Sequence, residues 1–172
     1  MKVVLATDLD RTVIFSKRFL GEYEPKVSYH ISETLDGNII SYIADTVANR
    51  LKDINSRKNI DVVPVTSRSV NEYKRVNLGF TPEYAIVSSG GTILKDGKPI
   101  EEYEEYIRNN IDMDKMADVT MEVNCLYSVS RDCKLIDNKF VFTKTDNPAE
   151  CEKEIIPLIS EYPDFNHHIQ GK

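Results

Sequence analysis

The chain has no tryptophan, only three cysteines in 172 residues, and no apolar run long enough to cross a bilayer. Cys125, Cys133 and Cys151 are too few and too scattered for a disulfide framework or a zinc cluster, so they read as reduced, partly buried thiols. An excess of basic charge is missing too: 22 lysines and arginines face 28 aspartates and glutamates, the net charge is −6, and the bases are interspersed with acids. Such a surface offers a nucleic-acid backbone no footprint, so neither nucleic acid nor another polyanion is an expected partner. Met1 and Lys2 lead directly into apolar residues, without the parts of a secretory signal. These absences describe a soluble globular protein with no membrane partner and, by default, a cytoplasmic location. No repeat or low-complexity segment is present.

What is present is concentrated at the start. Residues 3–12, Val-Val-Leu-Ala-Thr-Asp-Leu-Asp-Arg-Thr, run an apolar strand into two aspartates one residue apart and a threonine two further on. A continuous apolar run reads as a buried parallel strand, and open α/β sheets bind ligands beyond the carboxyl ends of such strands. Asp8, Asp10 and Thr12 therefore arrive where a site belongs. Residues 15–37 read as irregular, and Ile43, Val47, Leu51 and Ile54 then mark one helix face. Residues 60–65 form a second, parallel strand closed by Thr66-Ser67-Arg68-Ser69. A helix over 70–78 and a third strand over 84–88 follow, ending in Ser88-Ser89-Gly90-Gly91-Thr92. The glycines suit a tight turn at which backbone approaches a ligand or another loop. Asp96-Gly97 centres a hairpin.

From about residue 101 the alternation of strand and helix gives way to helices over 101–110 and 114–124, strands over 126–130 and 139–144, and a helix from Asn147-Pro148 to about 162. Residues 165–169 suit a last strand. Residues 1–100 thus read as a Rossmann-like α/β core and 101–172 as a second, α+β domain.

Asp-x-Asp on an extended loop fits phosphoryl transfer. One carboxylate attacks phosphorus, and the other protonates the leaving oxygen and then activates water. A dianionic phosphate does not approach a carboxylate unaided, which calls for a hard cation such as Mg2+ on oxygen ligands, here Asp8 and the carbonyl of Asp10. Thr66 is placed to hold one phosphate oxygen, and backbone N–H groups after Asp8, that of Leu9 first, the others. The plain alternative is a pair of loop aspartates capping the next segment. Thr12, and a second strand ending in a hydroxyl at Thr66, weigh against it.

Asp8-Leu-Asp10-Arg-Thr12 resembles motif I of the haloacid dehalogenase-like superfamily, and Val62-Val-Pro-Val-Thr66-Ser-Arg resembles motif II. Ser89-Gly90-Gly91-Thr92 is similar to the turn of members with a large cap inserted after motif II, such as Cof-type hydrolases and sugar-phosphate phosphatases. The resemblance implies Asp8 as a nucleophile forming an aspartyl-phosphate, Asp10 as general acid and base, Thr66 with Thr12, Leu9 and Ser67 around the phosphate, and Mg2+ on Asp8 and Asp10. Arg11, Arg68, Gly90 and Gly91 fall on the substrate side, the substrate being a small phosphorylated metabolite, and residues 101–172 lie where the cap would.

Arg11 departs from the glycine usual at its position; it either adds a phosphate contact or is a solvated surface arginine. Ser67, Arg68 and Ser69 form either a phosphate-binding cluster or a helix cap, with Ser69 as the cap, followed by a solvated arginine. The lysine and the later acidic motif that complete the family's site have no counterpart up to Gln170-Gly171-Lys172, so the expectation is a chain truncated before them that turns over poorly alone. The shortened sheet would leave an edge open to self-association. A non-catalytic binding or regulatory module, or a fragment needing a partner chain, is the competing reading. His167 and His168 beside Asp164 lack metal-ligand spacing, the acidic run from Glu101 reads as a solvated helix start, and the nine tyrosines are spread too evenly for a base-stacking surface.

Overall fold

The computed structural model describes residues 2–21 and 26–169. Tyr23, Pro25 and the terminal Gln170-Gly171-Lys172 lie outside them. The chain divides into two compact units at Tyr106/Ile107. The division falls inside a helix whose first half is tied to the first unit: the Tyr103 hydroxyl donates to the Gly90 carbonyl at 2.7 Å.

The first unit begins with β1 (Val3–Asp8), which leads to β2 (Ile14–Ser16), β3 (Tyr29–Leu35) and β4 (Asn38–Ala44). These last three form a sheet of their own, in the order β2-β4-β3. Residues 15–16 and 29–35 are therefore strand, although the whole of 15–37 reads as irregular in the sequence. Ile43 sits on β4, not on a helix. Asp36-Gly37 makes the turn, with φ of 50 and 76, the left-handed pair that a two-residue hairpin requires. Helix α1 (Asp45–Asn55) follows, then β5 (Ile60–Val65), α2 (Val70–Lys74) and β6 (Tyr84–Val87), then β7 (Thr92–Lys95) and β8 (Lys98–Pro99).

The main sheet runs β1-β5-β6-β7-β8. β1 and β5 pair in parallel from Val3 opposite Ile60 to Asp8 opposite Val65. β5 joins β6 in parallel only at Val65, just past Pro64, which has no N–H to give to a ladder. Val62 and Val63 are buried together with Pro64, as expected of a strand covered on both faces. β1 is different. It is an edge of this sheet, and Val4 is 62% exposed, with Val3 and Leu5 also open to solvent. Its apolar run foretold strand correctly but burial wrongly, because no further strand lies on its other side among the described residues.

The core behind the aspartates gathers Leu9 and Val13 from the loop after β1 and Ile14 from the start of β2 with Ile43, Ala48 and Leu78. Leu9 is fully buried between two exposed aspartates. Its burial, about 1.5–3 kcal/mol, pins the loop from beneath and leaves its neighbours on the surface. Helix α2 is five residues long, shorter than expected. It opens with a capping box in which Glu72 N–H donates to Ser69 Oγ and Ser69 N–H to Glu72 Oε2.

The second unit takes in the rest of α3 (Glu101–Asn110), then α4 (Met113–Asn124), β9 (Val129–Ile136), β10 (Phe140–Thr145) and α5 (Pro148–Ser160). β9 and β10 form an antiparallel pair around Asp137-Asn138, longer and later than the strand expected over 126–130. Val119, Val123 and Cys133 make its core, against which Ile155, Leu158, Tyr162 and Phe165 pack. Phe165 belongs to that packing, and residues 165–169 form no strand. All three cysteines are free, Cys125 exposed, Cys133 and Cys151 buried. Burial pushes the Cys133 thiol up to about 11. No helix among the described residues is long and apolar enough to cross a membrane.

Candidate active site

Asp8 and Val65 close the ladder between β1 and β5 side by side, so the loops carrying Asp8–Thr12 and Thr66–Ser69 leave the same end of adjacent parallel strands. The first loop folds back at once. The Leu9 carbonyl accepts from the N–H groups of Thr12, Val13 and Ile14. That winding returns the Thr12 hydroxyl to Asp8, where it donates to Oδ2 at 2.7 Å. The bond fixes the rotation of the carboxylate.

Arg11 stands at φ 68, a left-handed conformation that costs a side-chain-bearing residue about 1–2 kcal/mol. Its N–H donates to the Ile14 carbonyl at 2.8 Å, and its guanidinium lies 5.5 Å from the centre of the Phe19 ring, which Arg18 also approaches at 5.0 Å. The turn is thus one that glycine adopts freely, held here by a backbone bond and a cation–π contact.

The second loop is organised by Thr66, which is buried. Its N–H donates to the Ile86 carbonyl, and its hydroxyl oxygen accepts from the Arg68 N–H at 3.2 Å. The Ser88-Ser89-Gly90 turn docks on this loop, with Ser89 N–H donating to the Thr66 carbonyl and Ser88 N–H to that of Arg68. Gly90, at φ 92, completes a run of left-handed residues that only glycine takes without strain. The turn thus approaches another loop; Gly91, with ordinary helical angles, only closes it. Ser67 is exposed.

Arg68 is not a solvated arginine. Its side chain is 14% exposed, and its fork grips Asp10, with Nε donating to Oδ2 at 2.8 Å and Nη2 to Oδ1 at 2.9 Å. Its third nitrogen, Nη1, donates at 2.8 Å to Glu33 Oε2, and Arg75 Nε donates to the other oxygen of Glu33 at 3.0 Å. Burial works against the Arg68 charge, but the hydrogen bonds of Asp10 and Glu33 outweigh it and hold the guanidinium pKa above its ordinary value. Neither Glu33 nor Arg75 stands out in the sequence. The signal for the first was Asp36-Gly37 between two apolar stretches, the same hairpin sign read correctly at Asp96-Gly97.

The described residues do not by themselves make a Mg2+ site. Both carboxylate oxygens of Asp10 are engaged by Arg68, which leaves an Asp8 carboxylate and a carbonyl for a cation that takes six oxygens. No group of three acidic, histidine or cysteine side chains able to hold a metal occurs among the described residues, so His167 and His168 do not form one with Asp164.

No family model matches the chain, and no curated protein matches its sequence. Among solved structures it is similar to the sucrose-phosphatase of Synechocystis sp. PCC6803, determined with sucrose and phosphate, at a TM-score of 0.58 and 13% identity over 94% of this chain. It is also similar to yhjK, a haloacid dehalogenase-like hydrolase protein of Bacillus subtilis, at a TM-score of 0.46 and 13% identity over 94% of the chain. The chain spans 58% of the first protein's length and 56% of the second's. The mixed α/β architecture, with β1 and β5 paired in parallel in the main sheet, is similar in fold to the first of these structures.

Proposed function

We propose that this chain carries the nucleophile and the acid/base group of a phosphatase acting on a small phosphorylated metabolite. The observation that carries the reading is the juxtaposition, at one end of β1 and β5, of an Asp8 oriented by Thr12, an Asp10 oriented by Arg68, and Thr66. Asp8 Oδ1, the oxygen not held by Thr12, attacks phosphorus. Asp10 enters this step as the carboxylic acid, with one oxygen released by Arg68; as the ester P–O bond breaks it gives that proton to the departing alkoxide, leaving an aspartyl-phosphate. Asp10, now a carboxylate, takes a proton from water as that water attacks phosphorus, and cleavage of the P–O bond to Asp8 releases phosphate. Thr66 and the N–H groups after Asp8 hold the equatorial oxygens, where charge accumulates. Arg68 supplies positive charge beside this carboxylate pair.

A phosphorylated sugar is the substrate class we favour, because the similar sucrose-phosphatase was determined with sucrose and phosphate. Mg2+ is proposed as the cation, its remaining ligands coming from outside the described residues, and residues 101–172 as the cap. The chain alone is then expected to turn over slowly. Hydrolysis of p-nitrophenyl phosphate that Asp8→Asn removes is the test; hydrolysis indifferent to Asp8 overturns the reading. A second reading, a phosphate-binding module without turnover, is favoured by the hold of Arg68 on both oxygens of Asp10.

The open edge of β1 is proposed as a self-association surface. Among the described residues β1 has no strand beyond it, so its outer N–H and C=O groups beside exposed valines invite another strand, and natural edges are guarded by lysine. Val4→Lys is expected to lower the weight-average mass in sedimentation equilibrium relative to the parent chain. An unchanged mass distribution argues against β1 as the surface.

A further inference from the structure

The hairpin β3–β4 takes no part in the chemistry above, yet it brings a fully buried carboxylate to the site's edge: the Glu33 side chain is 0% exposed. That burial is built by a bulge. Ile31 pairs with Tyr42 and Glu33 with Ser41, so Ser32 is an extra residue on β3. A regular pleat would send one of two successive side chains outward. Here Ser32 and Glu33 are both buried. Ser32 is fastened on its own account, since its hydroxyl donates to the Asn77 carbonyl at 2.9 Å and Asn77 N–H returns to the Ser32 carbonyl at 2.7 Å.

We infer that Glu33 is a positioning residue for the acid/base Asp10, acting through Arg68; the inference rests on the phosphatase reading for the role of Asp10. A guanidinium is planar with donors in a fixed fork. Once Nη1 is bound to Glu33 Oε2, the plane is set, and the edge formed by Nε and Nη2 points its two hydrogens at Asp10. Arg75 completes the arrangement on the far oxygen of Glu33. Two arginines to one glutamate leave a net positive charge facing Asp10. Glu33 therefore aims Arg68 without neutralising it.

The test is Glu33→Gln, which keeps volume and one acceptor oxygen, with Glu33→Asp and Arg75→Lys as companions. The first readout is the Arg68 Nε–H resonance, identified by its loss in Arg68→Lys. It is expected to be sharp and protected in the parent chain, and shifted and exchange-broadened in Glu33→Gln while the backbone amide spectrum stays folded. The second is turnover of p-nitrophenyl phosphate, expected to lose about 10- to 100-fold in kcat with KM little changed. Arg75→Lys gives a smaller loss, and it substitutes for Glu33→Gln should that variant not fold. An unmoved Arg68 resonance in whichever of these two folds overturns the inference. Turnover that survives Asp8→Asn overturns the phosphatase reading instead, and the resonance separates the two failures.

Discussion

Glu33→Ala is expected to destabilise the first unit by about 3–5 kcal/mol, the cost of breaking a buried ion pair from one side. The size follows from what remains. Arg68 keeps Asp10 as a partner, but its Nη1 loses its acceptor inside the protein, and Arg75 loses its bond from Nε. A buried charge without a partner is among the few causes of single-substitution effects this large. Because the Arg75 side chain is 31% exposed, water relieves part of its loss, which places the expectation toward the lower end. Removing Glu33, Arg68 and Arg75 together in favour of apolar residues should cost far less than Glu33→Ala alone. Urea unfolding of the two variants is the measurement, and near-equal midpoints for Glu33→Ala and the parent would show that the triad contributes nothing net.

Asp8→Asn is expected to lower turnover of p-nitrophenyl phosphate by on the order of 10³-fold or more, the scale on which enzymes lose a nucleophile. An amide oxygen is a poor nucleophile toward phosphorus, and neither Asp10 nor Glu33 can stand in for it. Asp10 is turned into the fork of Arg68, and Glu33 is buried between two arginines. The substitution is nearly isosteric. The Thr12 hydroxyl, now 2.7 Å from Asp8 Oδ2, still finds an amide oxygen there, so stability should change little. A large loss of rate without a loss of fold is what separates a reacting group from a loop-capping aspartate.

Much of this site was legible in the sequence because it is local. Asp8, Leu9, Asp10 and Thr12 lie within one turn, and Leu9 between the two aspartates is what drives that turn into the core. Thr66 and Ser69 were legible because hydroxyls at a strand end and before a helix have local jobs, to bind backbone and to cap. The role of Arg68 was not, since its partners Glu33 and Asp10 are 35 and 58 residues away in sequence. Glu33 was hidden further by the bulge at Ser32, since strict alternation would bury at most one of the two adjacent polar residues Ser32 and Glu33, and here both are buried. Residues 15–37 read as irregular because scattered glycine, proline and tyrosine obscure the short strands at 15–16 and 29–35. The burial expected of β1 failed for a different reason: an apolar run records what a strand is suited to pack against, while exposure depends on which strands lie beside it.

The central claim, that Asp8 forms a covalent bond to phosphorus and Asp10 serves its hydrolysis, meets its most direct test in Asp10→Asn incubated at stoichiometric concentration with p-nitrophenyl phosphate, quenched in acid and mapped by peptide mass spectrometry. p-Nitrophenolate departs without needing a proton, whereas water attack on the aspartyl-phosphate needs the missing base, so the intermediate should accumulate. The account predicts a phosphoryl group on the peptide holding Asp8, at Asp8 itself, absent when Asp8→Asn is combined with Asp10→Asn. An unmodified Asp8, whether or not p-nitrophenol is released, would contradict it.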